Sequence, residues 1–187
     1  MPVDPANLRI ELYPAPCLRQ VAAPVEQITP EVRQAVARMA ELMYDAEGIG
    51  LAAPQVGLAW RIFVCHVPPS EDRSCGEDPP TANDRLEVFI NPVIEATEGA
   101  PEPFEEGCLS LPDIRGDVLR PPIVTLSATD IEGQRFTRRA GGLLGRCWLH
   151  EFDHLEGVLI LDRMTQMGRL KNRSAIRSLE REGPRRL

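Results

Sequence analysis

The chain has 187 residues, 43% hydrophobic and 26% charged, with a formal net charge of −7. That length suits one well-cored domain and is short for two. The acidic balance argues against general nucleic-acid binding, so no DNA partner is expected. No apolar run approaches the roughly 20 residues of a membrane span. The opening Met1-Pro2-Val3-Asp4 has no basic flank or apolar stretch, so no signal peptide is visible and the cytoplasm is the expected compartment. Five cysteines (Cys17, Cys65, Cys75, Cys108, Cys147) are scattered without C-x-x-C spacing, which speaks against a disulfide framework.

In chain order, Thr29-Pro30-Glu31 reads as an N-cap, a first-turn proline and an acid suited to the helix dipole. Val32, Val36, Met39 and Met43 then recur at helical spacing, and the helix is expected to end near Glu47-Gly48. Trp60 to Val67 is a strand-like run, and Pro68 to Asp84, rich in proline and acid, is expected to be an exposed loop that either covers a cleft or hangs free. Leu86–Ile94 and Ile123–Ile131 read as strands, with Glu132-Gly133 turning into Gln134–Arg138. A second helix is expected over Gly141–Glu156, closed by Gly157, and a last one over Arg173–Glu182 with Ile176 and Leu179 as its apolar contact. The expected fold is α+β: small antiparallel or mixed sheets around a central helix, plus a C-terminal helix, in one domain over 1–187.

Charge is unevenly spread. Residues 163–187 hold eight basic side chains against Glu180 and Glu182, a surplus of six, which leaves −13 on the preceding 162 residues. A basic tail on an acidic body points to a local anionic partner or to a solvated helix.

The second helix carries His150-Glu151-Phe152-Asp153-His154. Histidines four apart share one helical face, so both imidazoles reach one metal ion while the glutamate between them reaches a water bound to it. A zincin-type third ligand would lie downstream, but the metzincin position holds Ile160, and Glu180, a thermolysin-like candidate, sits among arginines near a helix end. Upstream lies Glu106-Gly107-Cys108-Leu109-Ser110, an extended segment whose thiolate would complete a soft-to-borderline set for Zn, Fe(II) or Co(II) and leave a position open. A third segment, Gly48-Ile49-Gly50-Leu51-Ala52-Ala53-Pro54-Gln55, has small residues that admit a second backbone, and Gln55 offers an amide donor to an oxyanion.

Together GIGLAAPQ, EGCLS and HEFDH resemble, in order and without mismatch, the signature of the peptide deformylases. The segments Tyr13–Arg19, Ala23–Val25 and Arg115–Pro121 are similar to further stretches of that family. The resemblance implies removal of the formyl group from N-terminal formyl-methionine of nascent proteins by a monomer. It implies Cys108, His150 and His154 as ligands of one divalent ion, Fe(II) natively with Zn, Ni or Co able to replace it. Glu151 would be the general base and then acid, while Gln55 and the Leu109 N–H hold the formyl oxygen. Ile49, Gly50 and Gly107 would take an extended peptide by strand addition, Arg115 its far end, and Leu143 and Cys147, with Ile49, the methionine side chain. Asp153 and Arg120 would fix the histidines. It further implies ribosome docking by the basic tail. Gly145 stands where the family usually has alanine, at an expected helix cost of roughly 0.8–1.0 kcal/mol. Two rivals are a metalloendopeptidase and a non-catalytic metal protein; intact Glu151 and Gln55 argue against the second.

Overall fold

A computed structural model describes residues 3–187, so Met1 and Pro2, where the reading of the N-terminus starts, lie outside the described residues. In chain order the elements are β1 (Glu11–Leu12), α1 (Pro30–Asp45), β2 (Gly50–Ala52), β3 (Ile62–Cys65), β4 (Glu87–Glu98), β5 (Glu102–Cys108), β6 (Leu111–Arg120), β7 (Ile123–Thr129) and β8 (Arg135–Gly141). They are followed by α2 (Gly142–Leu155), α3 (Ile160–Arg163), α4 (Gln166–Glu182) and β9 (Arg185–Arg186). The α+β class expected from sequence is the one observed. A five-stranded sheet of order β2-β3-β4-β7-β8 is joined by two small sheets, β5-β6 and β1-β9, and the strand pairs within all three are antiparallel.

Helix α1 begins as its sequence dictates: Thr29 Oγ1 accepts from the Val32 N–H at 3.3 Å, with Pro30 and Glu31 in the first turn. Its apolar stripe packs on one face of the large sheet, against Ile62, Val64 and Ile90. The neighbours Phe63 and Cys65 point the other way, into a second core with Phe89, Leu126 and Trp148 under α2. Period-2 alternation between two buried faces explains why β3 is apolar throughout. Phe63 stacks on Phe89 with centroids 4.4 Å apart, and Trp148 of α2 lies 5.1 Å from Phe89. The metal-motif helix is thereby anchored on the sheet.

Gly145 is a product of that packing. A Cβ there would lie 2.9 Å from the Ala140 carbonyl oxygen, so glycine is what lets α2 close on β8. Its helix-propensity cost is offset by this approach.

The Pro68–Asp84 segment is largely exposed and neither covers the cleft described below nor hangs free. Its distal end is bound to the body. Asn83 accepts from the Val67 N–H at 2.6 Å and donates to the Arg85 carbonyl at 2.8 Å. The Pro80 carbonyl accepts from Gly141 N–H and that of Thr81 from Leu144 N–H. Helix α2 has no side-chain cap, so these loop carbonyls answer amides that its first turn leaves open.

The C-terminal region departs from expectation. Helix α4 starts at Gln166, capped by Thr165, seven residues before the expected Arg173. Leu179 is buried and Ile176 packs beside it in a third core with Ile114, Val118, Leu161 and Met164. The last residues are no helical tail: β9 pairs with β1, Arg186 bonds Glu11 at 2.6 Å and Leu187 N–H donates to the Ile10 carbonyl. Among the described residues no helix is long and apolar enough to cross a membrane.

Candidate functional site

Strand β5 ends at Cys108, and α2 carries His150 and His154 one turn apart on the side facing it. Cys108 Sγ lies 3.3 Å from His154 Nε2, and the donor atoms of Cys108, His150 and His154 all fall within 4.8 Å of one another. The His150 ring is oriented through Nδ1, 3.1 Å from Glu106 Oε2, which leaves its other nitrogen for the centre. Glu106 is held in turn by a two-toothed bond from Arg120 at 2.7 and 3.0 Å, and Arg146 lies 3.5 Å away. Asp153 closes the chain by taking Arg120 at 2.8 Å and Arg163 at 2.7 Å. Asp153 and Arg120 were expected to fix the histidines themselves. They act one contact further out, and Glu106 is the group that touches the ring.

The two imidazoles sit in opposite electrostatic surroundings. Burial alone would lower the pKa of His150, yet bonds to Cys108 and Glu106 raise it well above the ordinary histidine value. Glu106 resists burial through His150 and Arg120, which pull its carboxyl down to about 2. His154 is pushed well below the usual value by burial and by the neighbouring positive groups, so it stays in the neutral form that ligates metal. One thiol and two imidazoles within reach of one point fit a divalent ion with an open position.

The Glu151 carboxylate lies against Gly50 and lines the same cleft as Cys108 and His150. It is buried, its Oε2 has no hydrogen-bond partner, and burial raises its pKa to about 7 against opposition from His150 and Arg120. That is the range in which a carboxylate serves as base and then acid at neutral pH. A Cβ on Gly50 would stand 2.8 Å from Glu151 Cδ and from Cys147 Sγ, so glycine there is the space Glu151 occupies.

Gln55 sits in a 3-10 turn, Ala53–Val56, directly after β2. Its Oε1 accepts from the Ala52 N–H at 2.8 Å, which fixes the amide so that Nε2 faces Ser110 Oγ at 3.2 Å and Cys108 Sγ at 3.6 Å. Ser110 and Glu106 are two functional neighbours that sequence reasoning missed, although both stand inside or beside the EGCLS segment.

These groups open into a cleft of about 800 Å³. Of the twelve site residues expected from sequence, all but His154 line it, and His154 lies behind Cys108. Leu143, Cys147 and Ile49 together line one part of it. The Ile49 carbonyl already accepts from the His66 N–H and, at 3.4 Å, from the Cys147 thiol. Exposed Arg115 stands on β6 across from Gly107. Both β2 and β5 pair on one side only, so each presents a second edge, and both border the cleft.

Comparison with known proteins agrees with this geometry. The family model described as polypeptide deformylase matches residues 7–170. A peptide deformylase of Acinetobacter baumannii is 40% identical over 180 residues, 96% of each chain, and one of Neisseria meningitidis is 42% identical over 170, covering 90% of this chain and 94% of that protein. The solved Plasmodium falciparum peptide deformylase superposes with a TM-score of 0.82 at 36% identity, covering 93% of this chain and 96% of that one. That of Synechococcus elongatus, solved with actinonin, gives 0.79 at 39% identity, covering 95% and 88%. Sequence, fold and the placement of all three motifs around one cleft therefore coincide, and the chain belongs to the peptide deformylase family.

Proposed function

We propose that the chain, acting as one catalytic domain over 1–187, removes the formyl group from the N-terminal formyl-methionine of newly made proteins and releases formate. The observation that carries this reading is the partnerless Glu151 carboxylate beside the Cys108–His150–His154 cluster, at the end of a cleft bordered by two open strand edges. Cys108, His150 and His154 would hold the divalent ion, natively Fe(II), with Zn, Ni or Co as substitutes. When bound, the ion supplies Lewis acidity and lowers the pKa of water from 15.7 toward about 7.

The chain's own groups do the rest. Glu151 takes the proton of the attacking water and returns it to the departing amine, because an unprotonated amine is too poor a leaving group. Gln55 Nε2 and the Leu109 N–H hold the charge that grows on the formyl oxygen. Glu106, braced by Arg120, keeps His150 in register. The peptide adds as a strand along Ile49, Gly50 and Gly107, its methionine entering the slot of Leu143 and Cys147 and its far end meeting Arg115.

The same reading places the enzyme in the cytoplasm as a monomer. Helix α4 exposes Arg169, Lys171, Arg173, Arg177 and Arg181, which would meet ribosomal RNA, whereas Arg185 and Arg186 are engaged by Glu182 and Glu11. The test of the catalytic assignment is formate release from a formyl-Met peptide by Cys108→Ser and Glu151→Ala. Both are expected to be inactive, and near-wild-type activity in either refutes it.

A further inference from the structure

Two thiols that take no part in the bond chemistry meet at the wall of the cleft. Cys65 on β3 and Cys147 on α2 bring their sulfurs to 3.3 Å, the two side chains reaching across the interface between sheet and helix. Cys65 is sealed in the core, whereas Cys147 lines the cleft, so one partner is reachable by a small solute and the other is not. A disulfide needs sulfurs about 2.05 Å apart, so closure asks for a movement of about 1.2 Å.

We propose that Cys65 and Cys147 form a reversible disulfide when the protein meets hydrogen peroxide, and that this remodels the wall of the methionine slot. Peroxide transfers one oxygen to the Cys147 sulfur, giving a sulfenic acid and one water. The Cys65 sulfur then attacks that sulfur, the S–S bond forms, and the hydroxyl leaves with the Cys65 proton as a second water. The two thiols together lose two electrons and the peroxide gains them. Two equivalents of an external thiol restore the pair.

The Cys147 pKa is pushed well above the ordinary thiol value by its hydrogen bond with Cys65 and by burial. Because the thiolate is the form that reacts, this slows the first step. The cross-link rests on the 3.3 Å approach of the two sulfurs and on the place of Cys147 in the cleft wall, where a small, uncharged peroxide can reach it. Closure also draws Cys147 Sγ toward Cys65 and removes the thiol proton now given to the Ile49 carbonyl. The consequence for substrate rests on the deformylase reading of the slot, but the cross-link does not.

The experiment uses the full chain loaded with nickel, which avoids radical chemistry between iron and peroxide. After peroxide treatment and alkylation, a non-reducing digest is read by mass spectrometry. The expected product is a Cys65–Cys147 linked peptide, reversed by dithiothreitol and absent from Cys65→Val and Cys65→Ser. Oxidised wild type should show a severalfold higher KM for a formyl-Met peptide with kcat retained, and Cys65→Val should not. If exposed Cys75 oxidises while no Cys65–Cys147 peptide forms, the proposal is overturned. A cross-link that leaves KM unchanged overturns the remodelling of the slot.

Discussion

Gly50→Ala adds one methyl group at the point where β2 faces the proposed base. Its Cβ would lie 2.8 Å from Glu151 Cδ and from Cys147 Sγ. Carbon contacts settle at about 3.5 Å or more, so these groups must give by about 0.7 Å. Glu151 is a buried residue of α2, and its carboxylate can clear the added methyl only by shifting within the cleft that it lines. A misplacement of about 1 Å at a reacting group costs about 10²-fold, so kcat should fall by about that factor. KM should rise as well, because Gly50 and Cys147 border the proposed peptide and methionine sites, while the fall in kcat reports the displaced Glu151. Overpacking of this size lowers stability by about 1–3 kcal/mol. The atoms nearest the added methyl belong to Glu151 and Cys147 and not to Cys108, His150 or His154, so metal content should remain at one ion per chain. Steady-state kinetics, metal analysis and denaturant unfolding on the same preparation separate these terms. A kcat within twofold of wild type, or a loss of activity that tracks loss of metal, would refute the steric account.

Three other perturbations probe the surroundings. Glu106→Gln removes the carboxylate that orients His150 and leaves buried Arg120 half-paired; metal affinity should weaken by about 10–100-fold and stability by about 3–5 kcal/mol, read by competition with a chelator and by denaturant unfolding. Gly145→Ala, a gain of helix propensity on sequence grounds, should instead destabilise by about 1–3 kcal/mol, because its Cβ meets a backbone carbonyl that cannot yield; a higher Tm would contradict this. Asp162 resists burial through Arg19 and the Leu159 N–H, which hold its carboxyl below the usual range. A depressed folded pKa means the stabilisation is fully present above the unfolded value of about 3.9 and is lost as pH falls from there through the lower folded value. The Tm difference between wild type and Asp162→Asn should therefore hold down to about pH 4 and shrink below it, and a difference that stays constant well below about pH 3.9 would count against that ion pair.

What the sequence displayed, and what it hid, follows from which residues carried a local signal. Thr29-Pro30 marked the start of α1 because capping is a local interaction, and α2 was legible through its apolar face. Strand β6 was invisible as a strand. Its inward positions are Ile114, Gly116, Val118 and Arg120, so a glycine and a charge interrupt the apolar alternation. Gly116 is small because Met164 packs on it, and Arg120 points inward because Glu106 and Asp153 wait there. Neither partner is near in sequence. The first turns of α4 were missed for the reverse reason, since exposed Met167 and Leu170 give no core stripe. The two-residue β9 exists only through pairing with β1, some 170 positions upstream. The candidate ligand set, Cys108, His150 and His154, was legible because metal chemistry restricts residue type and spacing. The brace behind His150 was not, because Glu106 is one acid among 28 acidic residues until the fold buries it beside two arginines.

The central claim is that Glu151 and the Cys108–His150–His154 cluster act on a formyl group at a chain's end. Its most direct test is formate release from formyl-Met-Ala-Ser by Fe(II)-loaded protein prepared without oxygen, beside Glu151→Gln and an unformylated peptide of the same length. The account predicts one formate per peptide from wild type, none above background from metal-replete Glu151→Gln, and no cleavage of the unformylated peptide. Cleavage of internal bonds by wild type, or formate release by Glu151→Gln at a comparable rate, would contradict it.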